Sequence, residues 1–374
     1  MTWSKKQLIL FLSVTFGLGW ILQAVSIFFY NNSNLLGFRA VLAVSMFAPF
    51  VAVMVSRFHL KGMGWRPRLK GKIKYLMVSW LAPFVLSVIG AAIYFLIFPH
   101  AFDLSGEYLN VSSGQEDALA RLEAQGMTYK TYLIVSIFSS LLYSPWLNMV
   151  FAAGEEAGWR GFLYPMLKTK LGNIRGAVAG GIIWGIWHFP VIIFAGYEYG
   201  TNYFAAPFSG MFVFCIFTVF TGIIFDFLYL KTKCIWIPAL AHGSLNAFGS
   251  LTVAVLNLDY MDNMLLGPAP VGIISGLPFI IAALLMVIND KRKVPVKASK
   301  AIAESSEETK EMKNDIPKTF VKPFDKIPDN DTNKSSVKTY VKPFDKKPAA
   351  NNTNIKKSYP KSKGKSKKRQ KEKT

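Results

Sequence analysis

Cysteines and acidic residues are scarce in this sequence. Only two of its 374 residues are cysteines, Cys215 and Cys234, of which one lies in an apolar run and the other next to a lysine. This count and spacing exclude a disulfide framework and a cysteine-based metal site. The 22 acidic residues are outnumbered by 43 Lys and Arg, so the chain has a formal net charge of +21.

Apolar residues are abundant, at 52% of the chain, which is unusual for a soluble domain and ordinary for a membrane protein. A helix needs about 20 mainly apolar residues to cross a bilayer. Eight runs meet or approach that length, and we predict an all-α, polytopic membrane helix bundle. The runs are Gln7–Tyr30, Ala40–Ser56, Tyr75–Phe98, Tyr132–Ala153, Ala177–Ala195, Phe208–Leu230, Ile235–Leu256 and Val271–Ile288.

The loops between these runs alternate in charge. Lys and Arg cluster before the first run and after the second, fourth, sixth and eighth, whereas the intervening loops are uncharged or acidic. Basic loops favour the cytoplasmic side. We therefore expect a multi-pass protein of the cell membrane with both termini in the cytoplasm. The first run has no cleavage site after it and is predicted to be retained.

Composition divides the chain into three predicted parts. Residues 1–131 hold the first three membrane helices and an external loop, and residues 132–293 hold the other five. Residues 294–374 form a tail poor in apolar residues, which predicts disorder. From Lys291 to Thr374 there are 25 Lys and Arg against 10 Asp and Glu.

The tail contains a repeated motif and a basic end. Lys318–Lys326 recurs with one change as Lys338–Lys346, and each copy contains the letters VKPFDK. Two copies are too few for a solenoid and are typical of short linear motifs. The run Lys361–Lys373 is almost wholly basic, so anionic lipid of the cytoplasmic leaflet or a cytoplasmic partner would suit it. Nucleic acid would satisfy the same charge.

Two adjacent carboxylates, Glu155 and Glu156, follow the fourth apolar run, at its expected cytoplasmic end. Ionisable groups at membrane depth are rare, need partners and indicate function. Arg160 comes four residues after Glu156, so the two can pair on one helix face. Glu155 is then free to act on another group. The plain alternative is a solvated helix end with one surface ion pair.

Histidines occur on two later apolar runs. His188 lies in the fifth run, and His242 lies in the seventh with Asn246 one helical turn further on. A single membrane histidine usually packs or bonds to a neighbouring helix. Here two histidines, an amide and a carboxylate pair fall on or beside three runs of the same half of the chain, which favours a shared interior site open to the cytoplasm. The spacing leaves His188 deeper than Glu155 unless the fourth span ends later than Ala153 or the fifth span starts above the membrane.

These residues resemble the motifs of the CAAX prenyl protease 2 type intramembrane proteases, also called the CPBP or Abi family. Its three motifs are Glu-Glu-x-x-x-Arg, Phe-x-x-x-His and His-x-x-x-Asn on successive helices. The first matches Glu155 to Arg160, and the third matches His242 and Asn246. In the second, ending at His188, Trp184 replaces phenylalanine. The resemblance covers roughly Tyr132 to Leu256.

The resemblance implies that a peptide bond of a membrane-associated or lipidated protein is hydrolysed within the membrane. Glu155 with His188 would activate water, and His242 with Asn246 would donate to the oxyanion. Glu156, Arg160 and Trp184 would support them.

The resemblance also leaves a metalloprotease open, with zinc on Glu155, His188 and His242. The sequence has no His-Glu-x-x-His spacing with which to decide between the two chemistries.

Two other functions compete with this prediction. A non-enzymatic membrane scaffold or bacteriocin-immunity-type protein could keep the same residues for stability and use its tail to recruit a partner. A transporter could use buried polar groups to hold cargo, but the sequence has no inverted repeat or pair of broken helices to favour it.

Overall fold

The computed structural model describes residues 4–57, 60–67 and 69–289, and these residues fold as helices joined by short loops. Within them the only strand-like pairing is an isolated bridge between Phe102 and Leu256. The predicted all-α class is therefore confirmed. The helices are α1 (Lys5–Asn31), α2 (Leu35–Ser45), α3 (Ala48–Val55), α4 (Ile73–Ile97), α5 (Glu107–Ser113), α6 (Ala118–Ala124), α7 (Tyr129–Leu142), α8 (Ser144–Gly158), α9 (Tyr164–Leu171), α10 (Asn173–Trp187), α11 (Phe189–Ala195), α12 (Phe208–Thr232), α13 (Trp236–Gly249) and α14 (Leu277–Asn289).

Five of the eight predicted spans correspond to helices, or helix pairs, long and apolar enough to cross a membrane. A sixth is a bent pair, Tyr129–Leu142 with Ser144–Leu171. The last two differ from the prediction, because α13 has only 14 residues and α14 only 13. Apolar composition in those runs continues through turns and loops, which hydropathy cannot distinguish from helix. The chain is a multi-pass membrane protein.

The fourth span differs from its predicted bounds in a way that moves the carboxylates. A helical stretch runs from Ser144 to Leu171, at an angle of 51° to α7, so Glu155 lies inside a long helix. One turn of π-helix, Trp159–Leu163, separates α8 from α9. Such turns occur mostly as single bulges and frequently at functional sites. The expectation that the carboxylates lie at the end of a span that stops at Ala153 is wrong.

A sharp turn at Gly172 brings Glu155 and His188 to one depth. Gly172 has φ +82°, a left-handed conformation that favours glycine, and it joins α9 to α10. Glu155 lies 16 residues before Leu171, and His188 lies 15 residues after Asn173. At about 1.5 Å per residue, both are roughly 23 Å from the turn. The depth mismatch expected from the sequence therefore disappears.

Glycines let the helices of the site approach closely. A Cβ at Gly181 of α10 would lie 2.4 Å from Val219 Cα of α12, and one at Gly243 of α13 would lie 2.5 Å from Met149 N of α8. Small residues of this kind are typical of helix contacts in membranes. The run Gly176–Gly181 therefore packs closely against both α9 and α12.

Helices before residue 130 pack directly on the later ones. α1 contacts α10 and α11, α3 contacts α8, and α4 contacts α13. The loop between α4 and α7 contains two short helices, α5 and α6. The predictions about the tail, its VKPFDK repeats and its basic end, lie outside the described residues.

Candidate active site

Glu155 is a buried carboxylate fixed at one of its two oxygens. Its residue is 1% exposed, and Oε2 accepts hydrogen bonds from Trp159 Nε1 at 2.8 Å and from Trp184 Nε1 at 2.7 Å. Trp159 is four residues further along the same helical stretch, whereas Trp184 comes from α10. No described residue donates to Oε1. The second oxygen is therefore the one left for a water or a substrate group.

Glu156 holds a buried arginine and a histidine together. Its Oε1 accepts from Arg160 Nη1 at 2.8 Å and from His242 Nδ1 at 3.0 Å. Glu156 and Arg160 are both fully buried. The predicted pairing of Glu156 with Arg160 is confirmed as a contact, but it is not a surface ion pair. Because a carboxylate only accepts here, the Nδ1 of His242 carries the proton and its Nε2 remains available.

His188 is oriented by its own helix. Its Nδ1 lies 3.0 Å from the Trp184 carbonyl oxygen, which can only accept, so Nδ1 is the protonated nitrogen. The Nε2 of this ring is therefore an acceptor and a potential base. His188 is also within electrostatic range of Glu155 and His242. As the cap residue between α10 and α11, it sits where the backbone changes direction.

Trp184 connects the parts of the site. Its indole bonds to Glu155, and its ring lies 5.3 Å from the His242 ring and 6.3 Å from the His188 ring, centre to centre. The Arg160 guanidinium lies 4.8 Å from the centre of the same ring. Tryptophan in place of phenylalanine therefore supplies a hydrogen-bond donor that phenylalanine lacks.

Asn246 stands apart from this network. It lies one turn after His242 on α13, is exposed, and has no hydrogen bond to any described residue. The structure thus brings Glu155, Glu156, Arg160, Trp184 and His242 into direct contact, with His188 beside them. Asn246 is placed on the same helix as His242 with its amide free.

An aromatic loop covers His188 from the other side. Tyr197 follows α11, and its ring is nearly parallel to the His188 ring, at 12° and 6.3 Å between centres. The next residue is Glu198, and burial raises the pKa of its carboxyl. Glu198 itself has φ +70°, which is strained for a residue with a side chain. The loop was predicted only as a connection.

Sequence reasoning missed two contributors to the site. Trp159 lies within the first motif but is not one of its named positions. It comes four residues after Glu155, and that spacing could have predicted the contact between them. The contact between His242 and Glu156 joins residues 86 positions apart, so no local pattern could have indicated it.

A zinc ion would need Glu155, His188 and His242 to converge on one point. Within the described ranges, no three His, Cys, Asp or Glu side chains lie together as ligands for one ion. Glu155 Oε1 and the Nε2 atoms of His188 and His242 have no hydrogen bond to described residues, but these three side chains are not gathered as ligands around one point. The arrangement therefore does not fit a zinc ion without rearrangement.

The fold and the site define a class: a multi-pass helical membrane protein with a carboxylate–histidine site buried within its bundle. Residues 130–248, which hold all three motifs, match the family model described as type II CAAX prenyl endopeptidase, Rce1-like. The resemblance predicted from the motifs is thereby confirmed over this part of the chain.

A curated relative, the CAAX prenyl protease 2 of Methanococcus maripaludis (strain S2), is 24% identical over 177 residues. The alignment covers 44% of this chain and 54% of the relative, so the chain spans about half of the length of the protein it matches.

Proposed function

We propose that this protein is an intramembrane endopeptidase that hydrolyses a peptide bond of a membrane-associated or lipidated protein. The proposal rests on the surroundings of the Glu155 carboxylate, which is buried. Its Oε2 accepts hydrogen bonds from two indoles, and its Oε1 has no hydrogen bond to any described residue. A carboxylate in that state can take a proton from water. Glu156 also has an oxygen without a hydrogen-bond partner, Oε2, but its charge is balanced by Arg160, whereas no Lys or Arg among the described residues pairs with Glu155.

The two histidines suit different steps. His188 keeps Nδ1 protonated towards Trp184, so its Nε2 can assist Glu155 in removing a proton from water. His242 bonds through Nδ1 to Glu156, and a carboxylate at that position stabilises the imidazolium form. A protonated His242 can then donate from Nε2 to the oxyanion of the tetrahedral intermediate, with the Asn246 amide as the second donor.

The substrate class is proposed from the comparisons. The matched family and the relative are both named for prenylated CAAX substrates. We therefore propose a lipidated chain end as the first substrate to test. Its lipid would remain among the apolar helices while the peptide bond reaches Glu155.

Cleavage of defined peptides by the purified protein tests this function. We expect a fluorogenic peptide with a prenylated cysteine to be cleaved faster than the same peptide without the lipid, and we expect Glu155→Gln to abolish cleavage of both. Asp117→Asn provides a matched control, because Asp117 is an exposed carboxylate on the external loop. A parallel reaction with a chelator decides whether a metal takes part.

The competing proposal is a non-enzymatic scaffold that recruits a partner through its tail. If the protein is such a scaffold, no peptide will be cleaved, and any phenotype will depend on residues 294–374 alone.

We further propose, from the loop charges, that both termini face the cytoplasm. Reporter fusions at each terminus that report the opposite side would contradict that orientation.

A further inference from the structure

Helix α1 is hydrogen-bonded to Trp187, the last residue of α10, which directly precedes His188. We call this set of contacts between α1 and Trp187 the grip. The carbonyl oxygen of Trp187 accepts hydrogen bonds from two side chains of α1, Trp20 Nε1 at 3.1 Å and Gln23 Nε2 at 2.9 Å. The peptide unit that they hold joins Trp187 to His188.

The side chain of Trp187 is held as well. Its indole Nε1 donates to the backbone oxygen of Thr15 at 3.2 Å, and the residue is 1% exposed. The Trp187 ring packs edge-on against the His188 ring, with 4.8 Å between centres. Trp187 is thus fixed to α1 at both its side chain and its carbonyl. Because a peptide unit is planar, fixing its carbonyl also fixes the N–H of His188.

The face of α1 that makes this grip is polar and tightly fitted. Thr15, Gly19 and Gln23 follow one another at intervals of four residues, so they share one side of the helix. Gln23 is fully buried, and its Oε1 has no hydrogen-bond partner among the described residues. A Cβ at Gly19 would lie 2.1 Å from Trp187 Nε1. An apolar residue would pack in the membrane without an unpaired oxygen, so the glutamine marks a specific role.

We propose that α1 is a positioning element for the reaction, with Gln23 and Trp20 as positioning residues that act on His188 through Trp187. The proposal rests on the proposed function and deepens it. α1 lies outside the segment that matches the family model. His188 caps α10, so the direction of its ring depends on where that helix ends. A base displaced by even 1 Å from its reacting proton loses much of its effect.

Two substitutions, one mild and one disruptive, test the grip. Gln23→Met removes the amide donor while keeping a side chain of similar length that is compatible with a membrane helix. Gly19→Ala pushes on the Trp187 indole from the same face. Gly17→Ala is the matched control, because a Cβ at Gly17 of the same helix meets no atom within 4 Å.

We expect Gln23→Met and Gly19→Ala each to lower kcat about tenfold with KM unchanged, because neither residue touches substrate in the proposed site. We also expect faster amide hydrogen exchange in residues 184–192 of both variants, as the end of α10 loosens. Gly17→Ala should match the wild-type protein in both measurements.

The two measurements separate the possible failures. Faster exchange with unchanged kcat would overturn the positioning role, since the grip would then be structural only. Unchanged amide exchange in both variants would show that α1 does not hold the end of α10. A rise in KM without a fall in kcat would also overturn the positioning role, because the substitutions would then affect substrate binding. If the wild-type protein cleaves no peptide, the proposed function fails and the positioning role falls with it, while the exchange measurement still decides whether α1 holds α10.

Discussion

His242 donates a hydrogen bond from Nδ1 to Oε1 of Glu156, over 3.0 Å and across 86 residues of sequence. The same oxygen also bonds to Arg160, so one buried carboxylate links α13 to the helical stretch that contains the first motif. Glu156 therefore stabilises the bundle and orients a histidine of the site. Its neighbour Glu155 bonds to neither of these groups, but to the indoles of Trp159 and Trp184.

Glu156→Gln should destabilise the protein strongly. An amide cannot balance the charge of Arg160, and removing one partner of a buried ion pair costs about 3–5 kcal/mol. Asp117→Asn breaks an exposed pair with Arg121 and should cost less than about 1 kcal/mol. Denaturant unfolding in one detergent compares the two variants. Equal stability of both would contradict the role given to Glu156.

The two indoles on Glu155 should each contribute to activity without being essential alone. Hydrogen bonds to a charged group are worth about 1.5–3 kcal/mol, so we expect Trp184→Phe and Trp159→Phe each to lower kcat about tenfold or more. Trp80→Phe is the control, since its indole bonds to the Leu141 carbonyl away from the site. Full activity in a Trp159→Phe, Trp184→Phe double variant would show that Glu155 needs neither donor.

The contact between α8 and α13 should not tolerate a larger residue. In Gly243→Ala the added Cβ would lie 2.5 Å from Met149 N and 2.6 Å from Pro145 O, both of them backbone atoms that cannot move aside alone. We expect a clear loss of thermal stability and, because His242 is the adjacent residue, a loss of activity. Gly249→Ala on the same helix meets nothing within 4 Å and should behave as wild type.

Glu198 should make stability depend on pH. Burial raises the pKa of its carboxyl above the ordinary 4.5, so the folded chain keeps a proton over a range in which the unfolded chain has lost it. Stability should therefore fall as pH rises from about 4.5 through the folded pKa. Glu198→Gln removes this contribution. Melting temperatures of the two proteins should diverge with rising pH, and parallel curves would count against this assignment.

The sequence predicted the class of fold because it depends on local patterns, and local patterns also selected residues, Asn246 excepted, that lie near one another in the structure. Apolar runs predict membrane helices, and the spacing of Glu156 and Arg160 predicts their pairing. The ends of the helices were harder to predict, since hydropathy alone does not show that the helical stretch through Glu155 continues to Leu171. The contacts of His242 with Glu156 and of Gln23 with Trp187 depend on packing between distant segments, which composition and periodicity do not encode.

The central claim is that Glu155, and not the adjacent Glu156, performs the chemistry. The most direct test measures single-turnover cleavage of a prenylated peptide by purified wild-type protein and by Glu155→Gln, after both have been shown to unfold at the same temperature. We expect Glu155→Gln to keep its fold and to cleave at least about a hundredfold more slowly, because a general base typically contributes that much to the rate. A well-folded Glu155→Gln protein that cleaves at the wild-type rate would contradict it.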